Sequence, residues 1–272
     1  MERAQQGSSV VQLGDASIAS PFTSRSTSIL ATVHIVRQGR CTLVTTIQMY
    51  KILALNCLVS AYSLSSLYLY GVKQGDTQAT VAGLLIAGLF MFIAWAEPVD
   101  ALSAQRPEAR VFSPTVLLSL LGQVAVHFAT LLAALRQTAP FVDATAEEMQ
   151  PDADFQPNVI NSAVFTVGLC MQVNVFAVNY RGRPFMQSLR ENRPLHRVLL
   201  AVWLLALVLA ADLVPALGEW LELVPLPEEG GYRGAMLALM LANTAGAWAW
   251  ELLVVRRSGL GAPSALAAKK DL

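Results

Sequence analysis

Six apolar runs, separated by short polar segments, follow one another along most of the chain. They cover residues 43–71, 79–96, 115–135, 159–180, 198–217 and 235–255. Each run reaches the roughly 17 residues that a helix needs to cross the hydrocarbon core of a bilayer. Backbone groups in lipid must find hydrogen-bond partners within their own segment, so we predict that each run is a helix. The pattern predicts an all-α membrane protein, a six-helix transmembrane bundle.

The first run is longer than a bilayer span requires. As a helix it would measure about 43 Å at 1.5 Å per residue, against roughly 30 Å for the hydrocarbon core. Residues 52–70 carry no charge, whereas the segment before them carries Arg37, Arg40, Gln48 and Lys51. We therefore expect the first turns of this helix to stand in water and the remainder to cross the membrane.

Composition divides the chain into three parts. Residues 1–42 are polar and rich in turn-forming residues, and they lack the apolar core of a signal peptide. We predict a cytosolic connector at 1–42, a transmembrane domain at 43–257 and a cytosolic tail at 258–272. The chain is 54% hydrophobic and only 14% charged, against about 25% charged in soluble domains. With a net charge of zero, nothing indicates a nucleic-acid partner.

Basic residues are concentrated in alternate connections between the runs. The lead-in, the loops after the second and fourth runs and the tail are rich in arginine and lysine. The other three connections hold only Lys73, Arg136 and Arg233 as basic residues, and the last two of them are acidic. The positive-inside rule therefore predicts a multi-pass protein with both termini in the cytosol.

Polar residues within the runs are the candidates for function. Asn56, Ser60 and Ser63 lie at i, i+4 and i+7, so they share one helix face. Such a face turns towards neighbouring helices in lipid, where it serves either interhelical hydrogen bonding or substrate contact. Gln172 and Asn179, seven residues apart, are likewise expected to share a face.

Three ionisable residues in the runs carry separate expectations. His127 is expected to be an interhelical hydrogen-bond partner, with a role as a proton relay or as a ligand as the alternative. Asp212 is a functional candidate because an acid within a span is costly unless it has a partner or water. Glu251 is expected at the cytosolic edge, facing Arg256 and Arg257 one turn away.

Signals for soluble catalysis or for a metal site are missing from the sequence. Residues 81–95 of the second run carry no carboxylate and no amide, although a dehydrated cation needs clustered oxygen ligands. The chain has no phosphate-binding G-x-x-x-x-G-K-[ST] loop, and its three cysteines show no metal-binding or disulfide spacing. We predict no catalytic residue and no metal ligand in this chain.

Several segments closely resemble the C-terminal membrane half of type-V, subtype-A P-type ATPases of the endoplasmic reticulum. They are LGDASIASPFTS (13–24), IVRQGR (35–40), TIQMYKILALN (46–56), GDTQAT (75–80), LSAQRP (102–107) and FAVNYRGRPF (176–185). The resemblance runs from about residue 11 to the end, in order and with similar spacing. It implies that the six runs are equivalent to the last six of ten core helices.

The resemblance also implies what the rest of such a protein does. In the family, ATP phosphorylates an aspartate in a D-K-T-G-T motif and an actuator domain removes the phosphate. Neither motif occurs in this sequence. ATP and Mg²⁺ are therefore implied for a full-length protein, whereas this chain, without the phosphorylation, nucleotide-binding and actuator domains, is expected to be inactive alone.

By resemblance, the function is extraction of mistargeted transmembrane helices from the endoplasmic reticulum membrane. The expected partners are the lipid bilayer, client helices and the missing catalytic domains of the same protein. In this family the substrate groove lies partly between the helices present in this chain and the fourth core helix, which this chain lacks. The candidate substrate-facing residues are Asn56, Ser60, Gln172, Asn179 and Asp212. Lys269 and Lys270 resemble a dilysine retrieval signal for the endoplasmic reticulum.

Two alternatives stay open at this point. The first is a cation-transporting ATPase, which predicts stimulation of ATP hydrolysis by a specific metal ion. The second is a membrane protein without enzymatic activity that binds or regulates a partner, which predicts a native product near 29.3 kDa.

Overall fold

The computed structural model describes residues 28–142 and 154–257. Within these ranges the regular structure is helical, and no strand is longer than an isolated bridge. The α-helices are α1 (Leu30–Leu69), α2 (Asp76–Ala94), α3 (Pro114–Thr138), α4 (Val159–Asn179), α5 (Arg193–Ala211), α6 (Pro215–Trp220) and α7 (Tyr232–Arg257). The predicted retrieval signal, Lys269 and Lys270, lies outside the described residues.

Six of these helices, all except α6, are long and apolar enough to cross a membrane. The predicted all-α fold with six candidate spans is therefore confirmed. Proline is the first residue of α3 and of α6, and the second residue of α5. Proline suits this position because the first backbone N–H groups of a helix have no partner within it.

Helix α4 is the centre of the bundle. It contacts α1, α2, α3, α5 and α7, and these five also contact one another in a closed ring ordered α1, α3, α7, α5, α2. In α4, 83% of the most apolar window is buried, against 17–33% in the other five candidate spans. The five outer helices therefore present apolar side chains to the surroundings, whereas most side chains of α4 are buried inside the bundle.

Helix α1 begins at Leu30, well before the predicted start at residue 43, and its 40 residues measure about 60 Å. Part of the predicted connector is thus helical. The loop between α2 and α3 supports this extension: Arg37 donates to Val99 O at 2.8 Å and to Asp100 Oδ1 at 2.8 Å. Arg40 donates to Ser103 O. These contacts hold the helix where no apolar bundle surrounds it.

The fifth apolar run forms two helices. Helix α5 ends at Ala211, and Asp212 follows in the left-handed conformation with φ 53° and ψ 43°. Pro215 then opens the short helix α6. The span predicted at 198–217 therefore ends earlier, at Ala211, and Asp212 lies beyond its end.

Candidate functional site

A cleft lies between α1, α2 and α4. Ser60 and Ser63 line it from α1, Gln78 from α2, and Asn161 and Gln172 from α4. Valine, leucine and phenylalanine side chains form most of the remaining wall. The cleft measures about 60 Å³, several times the roughly 10–15 Å³ that one water molecule needs by the same measure. It is therefore a mixed polar and apolar surface that reaches into the bundle.

Three buried polar atoms on residues that line this cleft have no hydrogen-bond partner among the described residues. They are Ser63 Oγ, Asn161 Oδ1 and Gln172 Oε1. Asn56, one turn before Ser60 on α1, is 5% exposed, and neither polar atom of its amide has a partner. A buried polar group without a partner costs roughly 1–3 kcal/mol. Apart from Gln48 Nε2, the unsatisfied groups of α1 and α4 thus lie at or beside the cleft.

The cleft brings together only some of the predicted substrate-facing residues. Ser60 and Gln172 line it, and Asn56 lies next to Ser60. Gln172 and Asn179 do not meet, because seven residues separate them by about 10 Å along the helix. Asn179 belongs to a polar cluster around Glu251, and Asp212 to an ion pair with Arg233.

The first cluster is an ion pair within the bundle. Lys51 Nζ of α1 lies 3.0 Å from both carboxylate oxygens of Glu251 on α7. The side chains are only 5% and 8% exposed. The expectation that Lys51 stands in water is therefore wrong, and Glu251, expected to face Arg256 and Arg257, is paired with Lys51. Each charge is buried because the other compensates it, which the sequence separation of 200 residues conceals.

Arg181 and Gln48 lie beside this ion pair and extend it by two further contacts. Arg181 Nη2 lies 3.3 Å from Glu251 Oε1, and the backbone N–H of Arg181 donates to Gln48 Oε1 at 2.8 Å. Gln48 is 3% exposed, so it too is buried rather than in water as expected. Helices α1 and α7 and the residues that follow α4 are thus joined through Lys51, Glu251, Arg181 and Gln48.

The polar face of α3 completes the cluster. Ser119 Oγ and Gln123 Nε2 both donate to Glu251 Oε2, the latter at 2.9 Å. Gln123 and Asn179 exchange amide hydrogen bonds of 3.0 and 2.8 Å. The hydrogen-bonding groups of Asn179 are therefore occupied by the protein itself, and this residue is not available in the cleft.

A second cluster, which is uncharged, joins α3, α4 and α7 further along the bundle. Asn243 Nδ2 lies 3.0 Å from His127 Nδ1 and donates to Thr130 Oγ1 at 2.9 Å. Asn174 Nδ2 donates to Asn243 Oδ1 at 2.9 Å. The interhelical hydrogen bond expected of His127 is present. These contacts bring no titratable side chain to His127, so they do not support its role as a proton relay.

Asp212 contacts Arg233 at the opposite end of the bundle. Arg233 Nη2 lies 3.2 Å from Asp212 Oδ2, and Arg233 Nη1 lies 3.0 Å from Glu228 Oε1. The side chains of Asp212 and Arg233 are 21% and 24% exposed. Asp212 therefore has a cationic partner at the start of α7, and it does not line the cleft.

Sequence reasoning missed the Lys51–Glu251 pair although a signal was present. Across the six apolar runs the charged residues are Lys51, Asp212 and Glu251, which are one base and two acids. Because a lone charge within a span is costly, opposite charges in different spans predict each other as partners. Asp212 stands at the far end of its run, which leaves Lys51 and Glu251 as the pair.

The electrostatic character of the cleft differs from that of a cation site. Its lining residues carry no formal charge. Glu251, the buried carboxylate among the described residues, is already neutralised by Lys51 and Arg181. The described residues also include no group of three or more histidines, cysteines and acids able to hold a metal. The cleft is equipped to form neutral hydrogen bonds and apolar contacts.

Comparison with known proteins shows clear relatives. A probable manganese-transporting ATPase of Arabidopsis thaliana is 46% identical over 90% of the chain and 20% of its own length. Endoplasmic reticulum transmembrane helix translocases of Aspergillus fumigatus and Saccharomyces cerevisiae are 43% and 42% identical over 89% of the chain, which is 18% and 20% of their lengths. No family model matches the chain.

Fold and relatives together define a polytopic helical membrane chain similar to the C-terminal part of P-type ATPases. The matches fall in the C-terminal part of the relatives, and the chain spans about a fifth of their length. At this identity over nine-tenths of the chain, the resemblance noted in the sequence is confirmed. The chain belongs to the type-V P-type ATPases of subtype A.

Proposed function

We propose that the chain is the membrane segment of an endoplasmic reticulum ATPase that moves transmembrane helices of other proteins, and that the cleft contacts the moving segment. The names of the Aspergillus and Saccharomyces relatives support this activity and this membrane. The distribution of arginine and lysine supports a cytosolic position for both termini. The partners are then the bilayer, client helices and the catalytic domains of the same enzyme.

The observation that carries the proposal is the composition of the cleft. An uncharged wall of apolar side chains with unpartnered hydroxyl and amide groups suits a transmembrane segment, which is apolar but bears scattered polar groups. Ser63, Asn161 and Gln172 each offer an oxygen that can accept a hydrogen bond from such a segment. We place Ser60 and Gln172 in direct contact with it, and Asn56 beside it.

ATP and Mg²⁺ belong to the complete enzyme in this proposal. The Arabidopsis relative is named an ATPase, and P-type ATPases use both. The described residues include no cluster of three or more metal-ligating side chains, so we assign no residue of this chain to nucleotide chemistry. The contribution of the chain is to bind and to guide the client.

Photocrosslinking tests the proposed contact directly. A photoreactive amino acid at Ser60 or Gln172, in the complete protein in microsomes, is expected to crosslink to a radiolabelled, misinserted signal-anchor helix. The matched control is Leu204 of α5, whose side chain is 49% exposed on the outside of the bundle. Equal labelling at all three positions, or labelling at Leu204 alone, would contradict the cleft as the contact.

Manganese transport is the second candidate function, because the Arabidopsis relative is named a probable manganese transporter. The uncharged cleft and the neutralised Glu251 argue against it, since a dehydrated divalent cation needs several oxygen ligands, usually with negative charge. ATP hydrolysis by the complete protein decides between the two. Stimulation by Mn²⁺ but not by hydrophobic peptides supports cation transport, and the reverse supports helix transport.

A further inference from the structure

A cationic turn lies where the fourth and fifth candidate spans are connected. Arg190, Arg193, His196 and Arg197 fall within eight residues, and all four side chains are exposed. Among the described residues none of these three arginines forms an ion pair. The nearest acid in sequence, Glu191, is taken by Arg183 and by the backbone N–H and hydroxyl of Ser188. The turn therefore carries cationic charge that the described protein does not neutralise.

One face of α5 changes abruptly from cationic to apolar. Arg193, Arg197, Leu200 and Leu204 lie at i, i+4, i+7 and i+11, a spacing that puts them on one side of a helix. Leu200 and Leu204 are 52% and 49% exposed, so this face looks outward from the bundle. The step from Arg197 to Leu200 covers about 4.5 Å along the axis. The guanidinium groups thus sit directly beyond the point where the lipid-facing surface ends.

We propose that Arg193 and Arg197, assisted by Arg190, bind the phosphate group of an anionic phospholipid whose acyl chains lie along Leu200 and Leu204. Guanidinium groups bind phosphate oxygens through paired, charge-assisted hydrogen bonds. The apolar part of the same face selects a phosphate attached to acyl chains over free phosphate in water. The binding is independent of the helix-transport proposal, because neither the cleft nor its residues take part.

Native mass spectrometry of the chain in detergent micelles tests this site. Phosphatidylserine and phosphatidylcholine are titrated separately, and bound lipids are counted by mass. One arginine near an anionic lipid surface contributes roughly fivefold in affinity, so R193Q/R197Q is expected to weaken phosphatidylserine binding about 25-fold. Phosphatidylcholine, whose headgroup has no net charge, is expected to bind both proteins weakly and equally.

The control variant is R106Q/R110Q, which also removes two exposed arginines but from the loop between α2 and α3. It is expected to retain full binding of phosphatidylserine. Equal losses in the two variants, or no loss in R193Q/R197Q, would overturn the proposal. If millimolar inorganic phosphate alone prevents phosphatidylserine from binding to the wild type, the site binds free anions, and this result would also overturn the proposal. Circular dichroism of both variants verifies that the helices are intact.

Discussion

Lys51 and Glu251 form a buried ion pair in which the ammonium nitrogen is equidistant, at 3.0 Å, from the two carboxylate oxygens. The pair joins α1, the only described helix that extends far beyond the bundle, to α7, the last helix of the described chain. Arg181 and Gln48 connect the same two helices to the end of α4. Any displacement of α1 at this level must therefore move α4 and α7 or break buried polar contacts.

Replacing Lys51 by methionine is expected to destabilise the bundle strongly. The variant leaves Glu251 buried with Arg181 as its remaining cationic partner, and breaking a buried pair costs roughly 3–5 kcal/mol. The double variant K51M/E251Q removes both charges and keeps an amide for Ser119 and Gln123, so it should recover at least half of the loss. Unfolding of the chain in micelles with increasing SDS measures both effects.

The matched control for this experiment is D100N. It breaks the contact between Arg37 and Asp100, whose carboxylate is fully exposed, and such pairs contribute about 0–1 kcal/mol. A loss in D100N as large as that in K51M would show that burial is not what makes the Lys51 pair important. A double variant no more stable than K51M would show that hydrogen bonds, not charge, dominate.

The number and placement of the spans follow from the sequence because hydrophobic length alone decides whether a helix can cross a bilayer. The start of α1 at Leu30 does not, since it depends on Arg37 and Arg40 meeting the backbone of the loop that follows α2. The end of α5 at Ala211 likewise depends on the left-handed conformation of Asp212. Both boundaries are set by contacts and conformations that periodicity does not encode.

The candidate site was only partly predictable for a related reason. The polar stripe of α1 is visible in the sequence, and Ser60 with Gln172 does line the cleft. Which polar residues find partners within the bundle is decided by the register of α4 against its five neighbours. In this register Asn179 forms hydrogen bonds with Gln123, whereas the side-chain oxygen of Gln172 has no partner. No single-sequence pattern distinguishes these two amides.

Gly122 is expected to be essential for the contact between α3 and α7. A Cβ atom at this position would lie 1.8 Å from Cε2 of Trp250, whose ring nitrogen donates to Leu118 O at 3.1 Å. G122A must displace the indole and break this bond, and overpacking of this kind costs typically about 1–3 kcal/mol. Thermal unfolding in micelles should show a clear decrease in the melting temperature.

The control for Gly122 is G88A in α2, where an added Cβ meets nothing within 4 Å. It should leave the stability unchanged or raise it slightly, because alanine favours helix over glycine by up to about 1 kcal/mol. The double variant G122A/W250A relieves the clash and should lose less from the added methyl group than G122A does in the wild-type background. Equal losses in both backgrounds would exclude the indole as the obstacle.

The Arg183–Glu191 contact in the loop between α4 and α5 predicts an unusual titration. The hydrogen bond from Arg183, with those from the backbone and hydroxyl of Ser188, lowers the pKa of Glu191 from 4.5 to about 2. Because this pKa is lowered by folding, the contact is fully present above about pH 4.5 and is lost as the pH falls through about 2. Carbon NMR of the labelled Glu191 carboxyl, followed from pH 6 to pH 2, measures the value.

R183Q tests the cause of that shift. Removing the guanidinium should move the pKa of Glu191 back towards 4.5, whereas R190Q, which removes a neighbouring arginine without an ion pair to Glu191, should leave it low. A low pKa retained in R183Q would assign the shift to Ser188 alone. The experiment reads the loop locally, so it does not depend on the stability of the whole bundle.

Asp212 combines a backbone role with a charge role, and three substitutions separate them. Its φ of 53° is readily adopted by glycine and asparagine but is unfavourable for a β-branched residue. D212G and D212N keep the turn between α5 and α6 and lose the partly exposed pair with Arg233, so each should cost about 0–1 kcal/mol. D212V also strains the backbone and should cost about 1–2 kcal/mol more.

Thermal unfolding in micelles ranks the three variants. If D212V is as stable as D212G, the left-handed conformation does not constrain this position. If D212G and D212N lose as much as D212V, the ion pair, and not the turn, is what Asp212 contributes.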